Sequence, residues 1–179
     1  MNRFTGAGWV LALCLITGAS AATELRYNRV DLRYIVADTD SEKGFGLDLQ
    51  GLLTPALYVV AGFNDSGVRQ VGRYGFGYRH AVHPSATDLF VEAIGGGIKV
   101  DRFSTASGFG GSVGIRHLFN PAIEGMMRVD YLSVDDPFGD DLSFTASGDW
   151  HYSKNFSLVL KLTVEEETNS AGLGFRFSL

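Results

Sequence analysis

His151, Ser153 and Glu165 are the residue types of a serine hydrolase, and they lie close together near the end of the chain, in WHYSKNFSLVLKLTVEEE. A serine hydroxyl becomes a nucleophile when a histidine takes its proton and a carboxylate orients that histidine, an arrangement used for acyl transfer. The chemistry requires contact between the three side chains. Glu165 is twelve residues beyond Ser153, so the elements that carry them decide whether they meet.

The first 21 residues predict a secretory signal peptide. They combine a positive start at Arg3, the apolar run WVLALCLI from Trp9 to Ile16, and the small-x-small triplet Ala19-Ser20-Ala21. The alternative is a transmembrane helix, but the apolar run is shorter than the roughly 20 residues that a helix needs to cross a bilayer. We therefore expect a signal peptide at 1–21 and a mature chain at 22–179.

Composition restricts the function of the mature chain. The one cysteine, Cys14, falls in the predicted signal peptide, so we expect neither a disulfide nor a thiol nucleophile afterwards. Because Arg3 also belongs to the predicted signal peptide, the mature chain has 14 basic and 20 acidic residues. This acidic balance argues against a nucleic-acid partner. The mature length suits one domain.

Apolar residues alternate with polar residues or glycine in ten stretches of the chain. A period of two is typical of a β-strand with different surroundings on its two faces. The fifth stretch is irregular, because Phe90 and Ile94 interrupt the alternation. The stretches are 26–37, 44–53, 57–63, 73–79, 89–94, 109–116, 123–131, 142–152, 156–164 and 171–179.

The two faces of these stretches predict a membrane barrel. One face carries four or five large apolar residues per stretch, too much bulk for the lumen of a small barrel, whereas Gly, Ser, Thr and charged groups fit there. An outward apolar face is stable in lipid, and a closed barrel pairs every backbone hydrogen-bonding group between strands. We predict an all-β, antiparallel, up-and-down transmembrane β-barrel of ten strands, with eight strands as the alternative.

The connections support the same architecture. Short ones, such as Ser153-Lys154-Asn155, alternate with longer acidic ones, such as DTDSEK at 38–43 and DDPFGDD at 135–141. Outer-membrane barrels have short periplasmic turns and longer outer loops. The acidic stretch 38–42 lacks the glycine and the distant bidentate glutamate of a calcium loop, so we expect no metal and no cofactor.

The predicted inward face contains charges of both signs that nearly balance. Confined charges must be paired or hydrated, and paired side chains fill a small lumen. This favours a scaffold over an open pore, with a narrow ion channel as an alternative. The predicted lumenal charges are Asp31, Asp48, Glu92, Glu124, Asp130, Asp149, Arg29, Arg33, Arg73, Arg79, Arg116, Arg128, Lys161 and Arg176.

The segment with His151, Ser153 and Glu165 resembles outer-membrane lipid A deacylases, which carry a His-x-Ser pair followed by a Glu at this spacing. The resemblance implies a catalytic set of these three residues, and it is the enzymatic alternative. However, the alternating FSLVLKLTV between them predicts a strand that separates Ser153 from Glu165 by roughly 40 Å. By this register His151 points into the lumen at the periplasmic end of the eighth strand. His80, His83 and His117 also fall at or beside periplasmic strand ends, so a protease that resembles the ten-stranded outer-membrane type, with its His/Asp site at the outer mouth, has no candidate base there. Our preferred interpretation has no catalytic residue.

The mature sequence as a whole resembles the small outer-membrane barrels of the opacity-protein and OmpA-like type. The resemblance lies in the Leu25-Arg26-Tyr27 start, the Pro-containing turns, Tyr74-Gly75-Phe76-Gly77-Tyr78, and the closing strand from Gly172 to Leu179. It implies a monomeric, non-enzymatic barrel of a Gram-negative outer membrane with a structural or surface-interaction role. The implied partners are outer-membrane lipids, lipopolysaccharide, the outer-membrane assembly machinery and an unidentified surface ligand.

Overall fold

The computed structural model describes residues 25–38, 43–65, 69–83, 86–100, 106–135, 139–165 and 169–179. The predicted signal peptide, its cleavage before Ala22 and most residues of the predicted outer loops lie outside these ranges. Those features therefore stay predictions. No helix in the described ranges is long and apolar enough to cross a bilayer.

The described residues form ten antiparallel strands that close into one barrel. Each strand pairs with its neighbours in sequence, and β1 pairs with β10 to close the sheet. This confirms the prediction of ten strands over eight. The strands are β1 (Arg29–Ala37), β2 (Lys43–Leu52), β3 (Leu57–Asp65), β4 (Arg69–His83), β5 (Thr87–Val100), β6 (Ala106–Asn120), β7 (Ile123–Val134), β8 (Asp141–His151), β9 (Phe156–Glu165) and β10 (Asn169–Ser178).

The alternation in sequence becomes an alternation between exterior and lumen. On β1, Leu32 and Tyr34 are 48% and 54% exposed, whereas Asp31 and Arg33 are 3% and 5% exposed. The same inversion recurs around the barrel, because successive side chains of a strand point to opposite faces. The apolar surface therefore lies outside and the polar surface inside.

The irregular sequence pattern of the fifth strand is explained by apolar side chains that point into the lumen. Phe90, Ile94 and Ile98 point into the lumen and are buried, while Leu89 and Val91 are exposed outside. Both faces of β5 thus carry large apolar side chains, and the inward face also carries Asp88 and Glu92. Phe90 belongs to a lumenal cluster with Tyr27 and Tyr58, so the interruption marks inward packing of apolar side chains, not a missing strand.

Some connections between strands are shorter in the structure than the sequence predicted. β4 continues to His83 and β5 begins at Thr87, with a register shift between Ala81 and His83. Strands β4 to β6 therefore extend beyond the predicted stretches 73–79, 89–94 and 109–116. A β-bulge lets a strand bend and continue past a break in its alternation, which the simple period of two does not predict.

The two ends of the barrel differ. The end that carries the short connections 53–56, 121–122 and 152–155 is called the turn end, and the opposite end the loop end. The start of the first described range and the last residue of the chain both lie at the turn end, since Arg29 pairs with Ser178 and the backbone N–H of Leu179 donates to the carbonyl of Asn28 at 2.9 Å.

Candidate functional site

His151 lies at the turn end of β8 and points into the lumen, where it is 4% exposed. Its Nδ1 is 2.7 Å from the hydroxyl oxygen of Ser157 on β9, and its Nε2 is 3.7 Å from Oε2 of Glu124 on β7. Ser153 instead lies in the turn, where its hydroxyl accepts a hydrogen bond from the backbone N–H of Asn155 at 3.4 Å. The serine beside His151 is therefore Ser157.

Glu165 lies at the opposite end of the barrel. It pairs with Ser143, while Ser157 pairs with His151, so eight residues of β9 separate Glu165 from Ser157, or roughly 26 Å. Its Oε2 accepts a hydrogen bond from Arg69 Nη1 at 2.8 Å. The structure does not bring His151, Ser153 and Glu165 together, so they do not form a hydrolase site.

Ser157, His151 and Glu124 have the residue types of a hydrolytic triad, but their surroundings are structural. Glu124 Oε1 lies 2.5 Å from Arg116 Nη2 and 3.5 Å from Arg176 Nη1, so its charge is already neutralised. Ser157 is 1% exposed. Neither Ser157 nor His151 lines either of the two lumenal cavities described below.

The N-terminal segment closes the turn end of the lumen. The ring of Tyr27 lies between two guanidinium groups, with Arg79 Cζ at 4.5 Å and Arg116 Cζ at 4.4 Å from its centroid. Its ring also lies 5.1 Å from that of Tyr58, and Leu25 packs in the same cluster. Such cation–π contacts are worth about 2 kcal/mol or more when desolvated. We call residues 25–28 the N-terminal plug.

The plug was not predicted from the sequence, which placed residues 26–28 in the first strand. A signal was nevertheless present. Leu25 and Tyr27 share the odd positions of the lumenal residues Arg29 and Asp31, but they are apolar where that face is otherwise charged. An apolar pair on a polar lumenal face indicates packing inside the barrel.

A network of ion pairs fills the lumen next to the plug. Arg176 makes a bidentate pair with Asp31, at 2.7 and 2.8 Å, and a further contact with Asp149 at 2.5 Å. Arg116 pairs with Glu124 beside it. Buried charges are tolerated when they are paired in this way, and these paired side chains occupy the turn half of the lumen.

Space remains in the loop half of the lumen. A cavity of about 120 Å³, the loop-side cavity, lies there, and a smaller one of about 40 Å³ lies deeper. The uncharged part of the wall of the larger cavity consists of apolar side chains, Gly172 and the polar residues Asn64, Ser143, Thr145, Thr163 and Ser170. Its charged lining residues are Arg33, Arg69, Arg73, Arg128, Lys161, Asp130, Asp141 and Glu165.

Several of these cations share one carboxylate. Asp48 lies 2.6 Å from Arg33 Nη2, 3.2 Å from Arg73 Nη2 and 3.7 Å from Lys161 Nζ. Nearby, Arg128 Nε donates to Asp130 Oδ2 at 2.8 Å. The loop-side cavity is therefore bordered by closely spaced positive charges that share carboxylate partners.

The structure confirms the predicted lumenal charges, and it adds others. Asp88 is buried and pairs with Arg79 at 2.9 Å, and Arg69 pairs with Asp141 at 3.2 Å and with Glu165 at 2.8 Å. These four added residues lie at strand ends that were predicted to be turns or loops. The extension of the strands carries them into the lumen.

At the loop end, Asp140 is anchored outside the strands. It accepts hydrogen bonds from the Tyr131 hydroxyl at 2.7 Å and from the Ser133 hydroxyl at 2.8 Å. Both bonds stabilise the carboxylate, and the bond from Tyr131 has the larger effect. They hold the pKa of Asp140 below its ordinary value. Among the described residues, no three His, Cys, Asp or Glu side chains are arranged to hold a metal ion.

Comparison with known proteins identifies the fold but no family. No family model matches the chain, and no curated protein matches it. Among solved structures, it is similar to the KdgM porin, with a TM-score of 0.53 and 10% identity over 84% of this chain and 99% of the porin. The KdgM porin in complex with disordered oligogalacturonate gives a TM-score of 0.51 and 11% identity over 84% of this chain and 99% of that one. At these identities the likeness concerns the barrel fold.

Proposed function

We propose that this chain is an integral β-barrel of a bacterial outer membrane with a non-enzymatic, structural or surface-interacting role. The observation that carries the proposal is the inverted barrel: apolar side chains face outward and ion pairs lie within. In this arrangement the exterior is compatible with acyl chains, and the lumen supplies the specific packing that a soluble protein obtains from an apolar core.

The exterior supports a location in lipid. Each of five outward residues is at least 48% exposed, namely Leu32, Phe76, Val113, Met127 and Leu162.

 These five residues belong to five different strands, and each exposes about half or more of its surface. In water, that much contiguous apolar surface would drive aggregation. In lipid it is favourable, and the closed barrel leaves no unpaired strand edge in the hydrocarbon.

The orientation follows from the two ends of the barrel. Outer-membrane barrels place short turns in the periplasm and longer loops outside, so we infer that the turn end faces the periplasm and the loop end faces the exterior. The partners in this arrangement are outer-membrane lipids, lipopolysaccharide and, during insertion, the assembly machinery. We infer a monomer, because the barrel closes on itself.

The non-enzymatic part of the proposal is supported by the positions of the predicted catalytic residues. Glu165 lies at the loop end with Arg69, whereas His151 lies at the turn end beside Ser157. A lipid A deacylase would also need its nucleophile at the lipid surface, and Ser157 is buried in the lumen. Lipid A from cells with and without the protein is expected to have the same mass.

Cell fractionation tests the proposed location. The chain is expected in the outer-membrane fraction, and the folded form is expected to migrate faster on a gel before boiling than after it, because a compact barrel meets less resistance in the gel than an unfolded chain. A protein that stays monomeric and dissolved in buffer without detergent would contradict the proposal.

A narrow channel is the second candidate. The KdgM porin has the same fold, and two cavities remain in the lumen. The N-terminal plug and the ion pairs of Arg176 and Arg116 close the turn half, so we expect no stable conductance steps across planar bilayers. Reproducible steps of uniform size would favour the channel.

A further inference from the structure

We propose that the loop-side cavity binds a small oxyanion, either a carboxylate or a phosphate, with Lys161, Arg33 and Arg73 as its principal donors. The inference goes beyond the proposed function. It concerns the lumen only, and it requires the barrel fold but not a particular cellular location.

Positive charges outnumber negative charges deep in the cavity. Four cations line it there: Arg33, Arg73, Arg128 and Lys161. Among the described residues, the carboxylates within 4 Å of them are Asp48, Glu92 and Asp130. Four positive charges thus face three negative ones, and a bound monoanion would complete the balance.

The rim of the cavity has the opposite balance. Among the residues that the structure describes there, Arg69 faces two carboxylates, Asp141 and Glu165. Lys161 lies four residues deeper along β9 than Glu165, or roughly 13 Å at the rise of a strand. The positive surplus is therefore separate from the rim and lies at the floor of the cavity.

The Lys161 ammonium group lies beside the cavity with hydrogen-bonding capacity to spare. Its side chain is 13% exposed, and its contact with Asp48 is 3.7 Å long, beyond hydrogen-bond distance. Within the ranges that the structure describes, this ammonium group donates no hydrogen bond to the protein. An ammonium group has three donors to satisfy, and the cavity that it lines offers the space for an acceptor.

Arginine supplies the geometry for an oxyanion. A guanidinium group presents donors in a planar fork that matches carboxylate and phosphate oxygens. Arg33 uses Nη2 for both Asp48 and Asn64, so its Nη1 and Nε remain for a ligand. Arg73 likewise contacts Asp48 through Nη2, and its Nη1 lies 3.8 Å from Asp130.

The size of the cavity limits the ligand. Its volume of about 120 Å³ is several times the roughly 10–15 Å³ needed to hold one water. A carboxylate or a phosphate fits this space. The turn half is closed by the N-terminal plug, so the ligand enters from the loop end, and phosphates of membrane lipids are kept out by the barrel wall. The ligand is therefore a free anion.

Isothermal titration calorimetry of the full chain, folded in a nonionic detergent, tests the proposal. A phosphocholine detergent is avoided because its headgroup carries a phosphate. The probes are acetate, its neutral isostere acetamide, and inorganic phosphate. We expect acetate or phosphate to bind with a Kd in about the millimolar range or tighter, and acetamide not to bind. The stronger of the two anions identifies the oxyanion class.

Variants assign the binding to the cavity. Lys161→Met is expected to weaken anion binding about tenfold, since it removes a charge-assisted donor, and Lys161→Arg is expected to retain most of it. Asp48→Asn is expected to strengthen binding, because it removes the carboxylate that competes for the cations. Lys154→Met, in the exposed turn 152–155 at the opposite end, is the matched control.

The proposal is overturned if neither anion binds the parent chain, if acetamide binds as well as acetate, or if Lys161→Met binds as tightly as the parent. Gel mobility before and after boiling shows whether each variant is folded. If Asp48→Asn does not fold, the Lys161→Met and Lys161→Arg pair decides the question. The proposed function is tested separately by fractionation, so either can fail without the other.

Discussion

At the scale of single residues, the alternation of side chains along a strand predicted which ones point into the lumen, but not which ones contact each other there. The inward direction of Asp31, Asp149 and Arg176 followed from alternation along their strands. Their pairing did not, because Arg176 reaches Asp149 across β9, which lies between β10 and β8. Contacts of this kind depend on barrel curvature and on rotamers, which the sequence pattern does not specify.

His151 shows the same limit at the candidate site. The sequence predicted its lumenal position at the turn end, and the structure agrees. It did not predict Ser157 and Glu124 as its neighbours, because these residues lie on two other strands, β9 and β7, and their meeting depends on register. The separation of Glu165 was predicted correctly from the length of the intervening strand.

Asp140 supports a prediction about pH. We expect its carboxyl group to titrate below its ordinary pKa, because Tyr131 and Ser133 donate hydrogen bonds to the charged form. The stabilisation that this depressed pKa represents is present above the pKa of the unfolded chain and is lost as pH falls through the folded pKa. NMR titration of the side-chain carboxyl signal measures the shift.

Tyr131→Phe is the matched variant for this titration, since it removes one hydroxyl and keeps the ring. The pKa of Asp140 is expected to move toward its ordinary value in this variant, while Ser107→Ala, which removes a hydroxyl that donates to Asp135 at 3.1 Å, leaves it unchanged. An Asp140 pKa at or above the ordinary value in the parent chain would contradict the hydrogen bonds seen here.

At the scale of elements, the strands were predicted well where one face was purely apolar and the other polar. β5 and the start of the chain were predicted less well. In both cases apolar residues also face inward, namely Phe90 on β5 and Tyr27 in the N-terminal plug. The period of two distinguishes the faces of a strand only when they differ in polarity.

The middle of β6 supports a prediction about the outward face. Val113 is 60% exposed and pairs with Val91 and Val129 on the neighbouring strands. Val113→Arg is expected to lower the free energy of unfolding in lipid vesicles by about 2–4 kcal/mol, the cost of a basic side chain at the bilayer midplane. Urea unfolding followed by tryptophan fluorescence measures the change.

Val113→Leu is the control for this substitution, since it keeps an apolar side chain on the same face, and its effect on unfolding is expected to be small. An arginine that is tolerated as well as leucine would show that Val113 does not contact hydrocarbon, and the assignment of the outward face of β6 would then be wrong.

At the scale of the whole molecule, the architecture could be predicted because the period of two recurs in ten stretches and the bulk of the apolar face fixes its direction. Closure of the lumen could not be predicted in the same way. It depends on the N-terminal plug and on ion pairs between strands that are distant in sequence, such as Arg176 on β10 and Asp31 on β1.

The most direct test of the central claim, that apolar side chains face acyl chains, uses the tryptophan at position 150. The chain has two tryptophans, Trp9 and Trp150, so a chain that begins at Ala22 retains Trp150 alone. Trp150 is 38% exposed on the outward face of β8, near the turn end. In vesicles, lipids brominated near the headgroup are expected to quench its fluorescence strongly, and aqueous iodide only weakly. Strong quenching by iodide together with none by brominated lipids would contradict the account.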